Sequence, residues 1–264
     1  MIGYAIEQHG LSERRACCLL SMSRTSYRYH PQPSGDEPII AVLQQLAEAH
    51  PRWGFGKMMQ RISKGDYGWN HKRVRRVYRQ LKLNLRVKPK KRFPPRQPQP
   101  LGQPTGPNVC WSLDFMSDSL VSGQRFRTLN IIDDFNRELL WIEIDTSLPT
   151  DRVIRTLDML INWYGCPQRL RTDNGPEFIS GRLAQWAEQH NIILDFIQPG
   201  RPAQNAYIER FNRTYREEIL DMYLFDTLDE VRRITELWLY TYNAERPHHA
   251  LDGLTPYEYS ESKP

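Results

Sequence analysis

The sequence predicts an α/β protein: a mixed five-stranded sheet with flanking helices, preceded by an all-α, helix-turn-helix-like region. Three observations carry this. After residue 107, three segments of alternating apolar character follow one another, and the pattern then switches to alternating helix and strand. Before residue 84 only helical periodicity is found. Charge divides at the same place: residues 1–107 hold 20 Lys/Arg against 6 Asp/Glu, and residues 108–264 hold 16 against 25. A basic front joined to an acidic back implies two tasks, polyanion binding and concentration of carboxylates.

The front half reads as a series of short helices. Ser12 can cap one carrying Ala16, Leu19 and Leu20, and Ser23 a second carrying Arg24 and Arg28. Two short helices about a tight break suggest a helix-turn-helix. Breakers at 31–38 precede helices over 38–49 and 54–63. In NHKRVRRVYRQLKL (70–83), Asn70 is the cap, and Val74, Val77, Tyr78 and Leu81 recur at i, i+3, i+4 and i+7. Lys72, Arg73, Arg75, Arg76 and Arg79 occupy the rest, with no acid among them. An ordinary solvated face would mix signs for i, i+4 pairing, so nucleic-acid contact is the reading. Residues 84–107, rich in Pro, Lys and Arg, read as an extended linker whose Lys90, Lys91 and Arg92 track a phosphate backbone.

In the back half, NVCWSLDFM alternates with Val109, Trp111, Leu113 and Phe115 on one face and Asp114 on the other. RFRTLNIIDDF (125–135) and ELLWIEID (138–145) are strands joined at Asn136-Arg137. A helix over 149–164, a strand ending at RLRTDNG, a helix from Ser180, the strand NIILDFIQP and a helix over 203–221 follow. A last helix over 229–243 precedes a tail of Pro and Tyr. Asn174-Gly175-Pro176 is turn punctuation, so Asp173 stands where a strand ends, either to start the turn or to hold something outside the sheet.

These residues resemble a known family. LDF at 113–115, TDNGPEF at 172–178 and, with 35 residues between it and Asp173, the Glu209 of NAYIERFNRTYREE resemble the catalytic core of DDE transposases and retroviral integrases. HPRWGFGK at 50–57 and YNAERPHHALDGLTPYEY at 242–259 resemble the second-reading-frame transposases of bacterial insertion sequences. The resemblance implies an RNase H-like fold and divides the chain into a DNA-binding region (1–83), a linker (84–107), a catalytic core (108–225) and a C-terminal helix and tail (226–264). It implies DNA cleavage and strand transfer by Asp114, Asp173 and Glu209, which hold two Mg²⁺ or Mn²⁺ ions, Asp114 bridging both. Hard ions take oxygen ligands, which suits three carboxylates. Asp133 and Asp134 are then structural, and Glu177 an internal hydrogen-bond partner.

On the helix of Glu209, Asn205, Asn212, Arg213 and Arg216 share its face. Arg213 and Arg216 are candidates for DNA phosphates, with pairing to Glu217, Glu218 or Asp221 as the alternative. His248 and His249 read as structural. Cys17, Cys18, Cys110 and Cys166 show neither disulfide nor zinc spacing, so no zinc is expected.

The partners expected are element and target DNA, a second copy of the chain on that DNA, and an upstream-frame product, fused or separate. No apolar run approaches the ~18 residues of a membrane span and no secretory signal opens the chain, so a cytoplasmic protein is expected. Two other readings are a DNA-binding regulator with a silent catalytic half and a nuclease for RNA–DNA hybrids. The intact trio weighs against the first and the long basic front against the second.

Overall fold

In a computed structural model, residues 1–29, 35–85, 102–198 and 202–263 are described. Backbone contacts gather Met1–Ala41 into one compact unit and Val42–Pro264 into another.

The first unit holds α1 (Ile2–His9), α2 (Glu13–Leu19), α3 (Arg24–Tyr27) and the start of α4 (Glu37–Ala49). Ser12 and Ser23 cap α2 and α3 by accepting from the Arg15 and Ser26 N–H groups. Its small core is Ile2, Ala16 and Cys17 with Ala5, Ile6, Leu11 and Tyr27 against them. The second helix of the expected helix-turn-helix is a single turn.

The second unit begins with the rest of α4, α5 (Phe55–Lys64) and α6 (His71–Gln80). Asn70 caps α6 through the Lys72 N–H, and Val74, Val77 and Tyr78 are buried along the predicted stripe. Five strands follow: β1 (Trp111–Ser119), β2 (Arg125–Asp133), β3 (Leu139–Asp145), β4 (Arg169–Thr172) and β5 (Ile193–Phe196). Between and after them come α7 (Thr150–Tyr164), α8 (Gly181–Gln189), α9 (Ala206–Tyr215), α10 (Leu228–Tyr240) and α11 (Pro256–Ser262).

The sheet order is β3-β2-β1-β4-β5. β1–β2 and β2–β3 pair antiparallel, and β1–β4 and β4–β5 parallel. The hairpins supply the first two pairings, whereas the parallel ones need crossovers, which α7 and α8 provide. Both faces are covered. Trp111, Leu113, Leu129 and Ile131 pack with Leu157 and Leu160 of α7 and Leu183 and Trp186 of α8. Phe126, Ile132 and Ile142 pack with Ile208, Phe211 and Tyr215 of α9 and Val231 and Trp238 of α10. Period two along β1 therefore sends Leu113 to the first face and Asp114, with Met116, to the face of α9.

Edge strand β3 is closed from outside. Asn243 donates to the Leu139 carbonyl at 2.8 Å and accepts from the Leu139 N–H at 2.9 Å, so its amide replaces a neighbouring strand. The helix expected over 203–221 is a 3₁₀ turn (Pro202–Asn205), then α9, then a π turn (Arg216–Leu220).

Candidate active site

The register of the sheet brings the two aspartates together. Ser112 pairs with Arg171 across the parallel β1–β4 ladder, so continuing by two residues sets Asp114 beside Asp173. Asp114 Oδ2 accepts from Asn212 Nδ2 of α9 at 2.7 Å, and Asn212 Oδ1 accepts from Asn130 Nδ2 of β2 at 2.7 Å. Asn130 is the cross-strand partner of Asp114. Strands β1 and β2 thus fasten the turn of α9 that carries Glu209.

Burial and then the neighbouring charge of Asp173 push the Asp114 carboxyl up to about 6, and Glu209 adds to the push. Like charges sharing a site behave this way. Asp173 Oδ1 accepts from the Gly175 N–H at 3.0 Å, so it starts the turn. A Cβ at Gly175 would stand 3.0 Å from that oxygen, which explains glycine there. Among the described residues Glu209 makes no hydrogen bond or ion pair.

Three carboxylates brought to one end of the sheet fit a hard divalent ion by donor chemistry. Among the described residues, no group of three His, Cys, Asp or Glu is gathered closely enough to hold a metal. The trio is electrostatically coupled without being a closed cage.

The other carboxylates are committed elsewhere. Asp133 accepts from the Asn108 and Phe135 N–H groups at 2.7 and 2.8 Å. Asp134, fully buried, accepts from Ser112 Oγ at 2.6 Å and Arg171 Nη1 at 2.8 Å. Glu177 pairs with Arg127, whose guanidinium lies 4.3 Å from the Phe115 ring centre, and Phe115 stacks on buried Phe178. The segment after Asp173 is pinned by these contacts.

The basic candidates divide. Lys72, Arg75, Arg76 and Arg79 stand exposed on α6. Arg76 bonds Gln80, Arg75 lies 5.7 Å from the Phe55 ring centre, and Arg73 is half-buried. Arg24 is exposed, and Arg28 is held by both carboxylate oxygens of Glu13, at 2.9 and 3.1 Å. Arg213 is exposed beside Glu209, but Arg216 bonds Asp118 Oδ2 and the Ser117 carbonyl, each at 2.9 Å. The π turn beginning at Arg216 changes the helical phase, so this side chain goes to β1 and to none of the acids weighed for it. Lys90, Lys91 and Arg92 lie outside the described residues. Sequence reasoning put Asn212 on the Glu209 face without its role, and missed Asn130.

Two integrase core domain models match residues 104–202 and 190–256, and an HTH-like domain model matches residues 34–92. The last match covers α4 to α6 and leaves the hairpin at 11–29 outside. A 31.7 kDa protein of insertion element IS407 from Burkholderia multivorans is 38% identical over 96% of this chain and 92% of its own length. This chain belongs to the insertion-element transposases built on an integrase core. A 39.2 kDa protein of insertion element IS476 from Xanthomonas euvesicatoria is 36% identical over 97% of this chain and 74% of its own length. A putative transposase of insertion sequence IS150 from Escherichia coli is 24% identical, covering 89% of each chain. Among solved structures, the HTLV-2 integrase catalytic core in complex with magnesium is 18% identical, over 59% of this chain and 98% of that one, with a TM-score of 0.45.

Membership makes the fold RNase H-like, with an HTH-like helical domain before it. It makes the activity polynucleotidyl transfer in DNA integration, with DNA as the partner. No helix among the described residues is long and apolar enough to cross a membrane.

Proposed function

We propose that this transposase nicks the ends of its element and joins the freed 3′ hydroxyl to another strand, with Asp114, Asp173 and Glu209 as the catalytic, metal-holding trio. The observation that carries the reading is the strand register that continues Asp114 to the side of Asp173, with Asn212 fastening the helix of Glu209 to Asp114. Two Mg²⁺ or Mn²⁺ ions, when bound, supply charge neutralisation at the attacking and departing oxygens of the phosphodiester. Asp114 is oriented by Asn212, Asp173 is delivered at a strand end, and Glu209 offers an unshared carboxylate. The turn after Asp173 leads the chain away and leaves room for DNA.

On this reading α6 and Arg213 grip phosphates, residues 1–83 bind element DNA, and 84–107 track a backbone toward the core at 108–225. The residues 226–264 buttress that core. The chain acts as a homo-oligomer on DNA, in the bacterial cytoplasm, fused to or aided by an upstream-frame product.

The test is a joining assay with labelled element ends in Mg²⁺ or Mn²⁺. Asp114→Asn, Asp173→Asn and Glu209→Gln should each abolish joining while DNA affinity stays at the parent level. A variant that keeps substantial joining removes its residue from the trio.

A further inference from the structure

A cleft of about 670 Å³ opens beside Glu209, between α5, α9 and the segment after residue 245. We propose that it is a second DNA-backbone subsite, holding a phosphodiester through Arg137 and Arg210 on the side of α9 that faces the tail. The inference deepens the function proposed above, because it takes DNA as the ligand.

The first ground is charge. Lys57, Arg137, Arg210, Arg213 and Arg246 line the cleft, against the single acid Glu209. Two of these cations are committed: Arg246 bonds Glu218 at 3.1 Å through two nitrogens, and Lys57 lies 3.6 Å from the same carboxylate. Arg137, Arg210 and Arg213 make no ion pair among the described residues. Three such arginines, gathered at one cleft, are the footprint of a polyanion.

The second ground is independent. Two buried polar atoms of cleft residues have no partner, Arg137 Nη1 and His248 Nε2. His248 is 9% exposed, and its other ring nitrogen faces the Tyr242 carbonyl. That nitrogen must then carry the proton, which leaves Nε2 a bare acceptor. Arg137 is fixed by its turn, at φ 61°, and by its guanidinium lying 3.4 Å from the Tyr207 ring centre. Orphaned buried polar groups are costly and call for a ligand. A phosphate with one first-shell water meets both: its oxygen accepts from Nη1, and the water donates to Nε2. Water alone would satisfy the orphans but leave the arginines unneutralised.

The cleft also joins two domains. Lys57 lies in the residues matched by the HTH-like domain and Arg210 in those matched by the integrase core. A backbone seated here lies against both, next to the carboxylate at which chemistry is proposed.

The test uses the full chain in EDTA, so that no joining occurs, with a fluorescein-labelled duplex of arbitrary sequence. Anisotropy is followed over a series of KCl concentrations. Arg137→Gln and Arg210→Gln should each reduce the slope of log affinity against log salt by about 1, and the pair by about 2. Arg137→Lys, which keeps the charge, should keep the slope. Arg182→Gln, an exposed arginine on α8 paired with Asp151, should leave it unchanged. An unchanged slope in the folded double variant overturns the subsite. So does an equal fall in Arg182→Gln, which would mean bulk charge alone. Should Arg137→Gln fail to fold, exposed Arg210 carries the test. The slope needs no catalysis, so a failure here leaves the trio standing, and the failure of the trio in joining leaves this slope intact.

Discussion

Asn212 Nδ2 donates to Asp114 Oδ2 at 2.7 Å, while Asn130 Nδ2 donates to Asn212 Oδ1 at 2.7 Å. The Asn130 bond fixes which way the Asn212 amide points, and the amide fixes Asp114. Outer-shell partners of this kind govern how well a carboxylate presents its oxygens. Asn212→Ala should lower joining by roughly 10–100-fold and raise the divalent-ion concentration at half-maximal rate. Asn212→Asp should do more damage, since it sets a fourth carboxylate against a group already crowded by two. Parent-level joining at low Mg²⁺ in Asn212→Ala would remove the residue from the site.

Helix α6 offers the next test. Its apolar stripe is buried, so Lys72, Arg75 and Arg79 must face outward. Replacing these three with Gln should reduce the salt slope of duplex binding by about 3, near 0.9 for each phosphate no longer neutralised. Deletion of residues 1–83 is a poor substitute. It would strip Trp53, fully buried, and Lys57 and Lys64, which pair with Glu218 and Glu258. Quantitative salt titrations of the triple variant decide the matter, and a slope equal to the parent's refutes α6 as a DNA-binding surface.

Arg213 and Arg216 lie in one helical run but should behave differently. Arg216 is held by Asp118 and by the Ser117 carbonyl, while Arg213 is exposed and has no ion pair among the described residues. Arg213→Gln should cut the salt slope by about 1. Arg216→Gln should leave the slope alone and cost about 1 kcal/mol of stability, as a half-exposed pair does. Equal falls in slope for the two variants would contradict this division.

What the sequence made legible was what depends on period. All five strands, α5 to α8 and the α6 cap follow from alternation, stripes and turn residues within a few positions of each other. Asp173 stood out locally, at a strand end before a turn, whereas Asp114 and Glu209 were singled out by the resemblance of LDF and NAYIERFNRTYREE to the family's motifs. What escaped depends on partners far along the chain. Asn243 closing the edge at Leu139, and Arg216 reaching Asp118, span 104 and 98 residues, and no window sees them. α11 carries a local signal too: Thr255 and Glu258 form a capping box, with Pro256 in the first turn. α1 gives little signal, since no side chain caps it and Gly10, at φ 59°, ends it.

Glu218 links the motif HPRWGFGK to the motif YNAERPHHA. Its carboxylate takes Arg246 at 3.1 Å, Lys57 at 3.6 Å and Trp238 Nε1 at 3.2 Å, with 11% of its side chain exposed. Burial pushes this carboxyl up, but Arg246 and Lys57 bring it below its ordinary 4.5. Lys57 points the other way: burial, then Arg246, push it down to about 8 despite the pair. The geometry sides with Glu218, because the two-nitrogen contact from Arg246 is the closer one. The carboxyl stands lower in the folded chain than in the unfolded one, so its contribution is full above pH 4.5 and is lost as pH falls through the folded value. Lys57 has its own window, with stability rising between pH 8 and its ordinary 10.5. Glu218→Gln leaves Arg246 buried and unpaired, which costs about 3 kcal/mol and lowers Tm by roughly 6–12 °C. The acid limb of Tm against pH should flatten in that variant. A limb as steep as the parent's would show that other carboxylates govern acid unfolding.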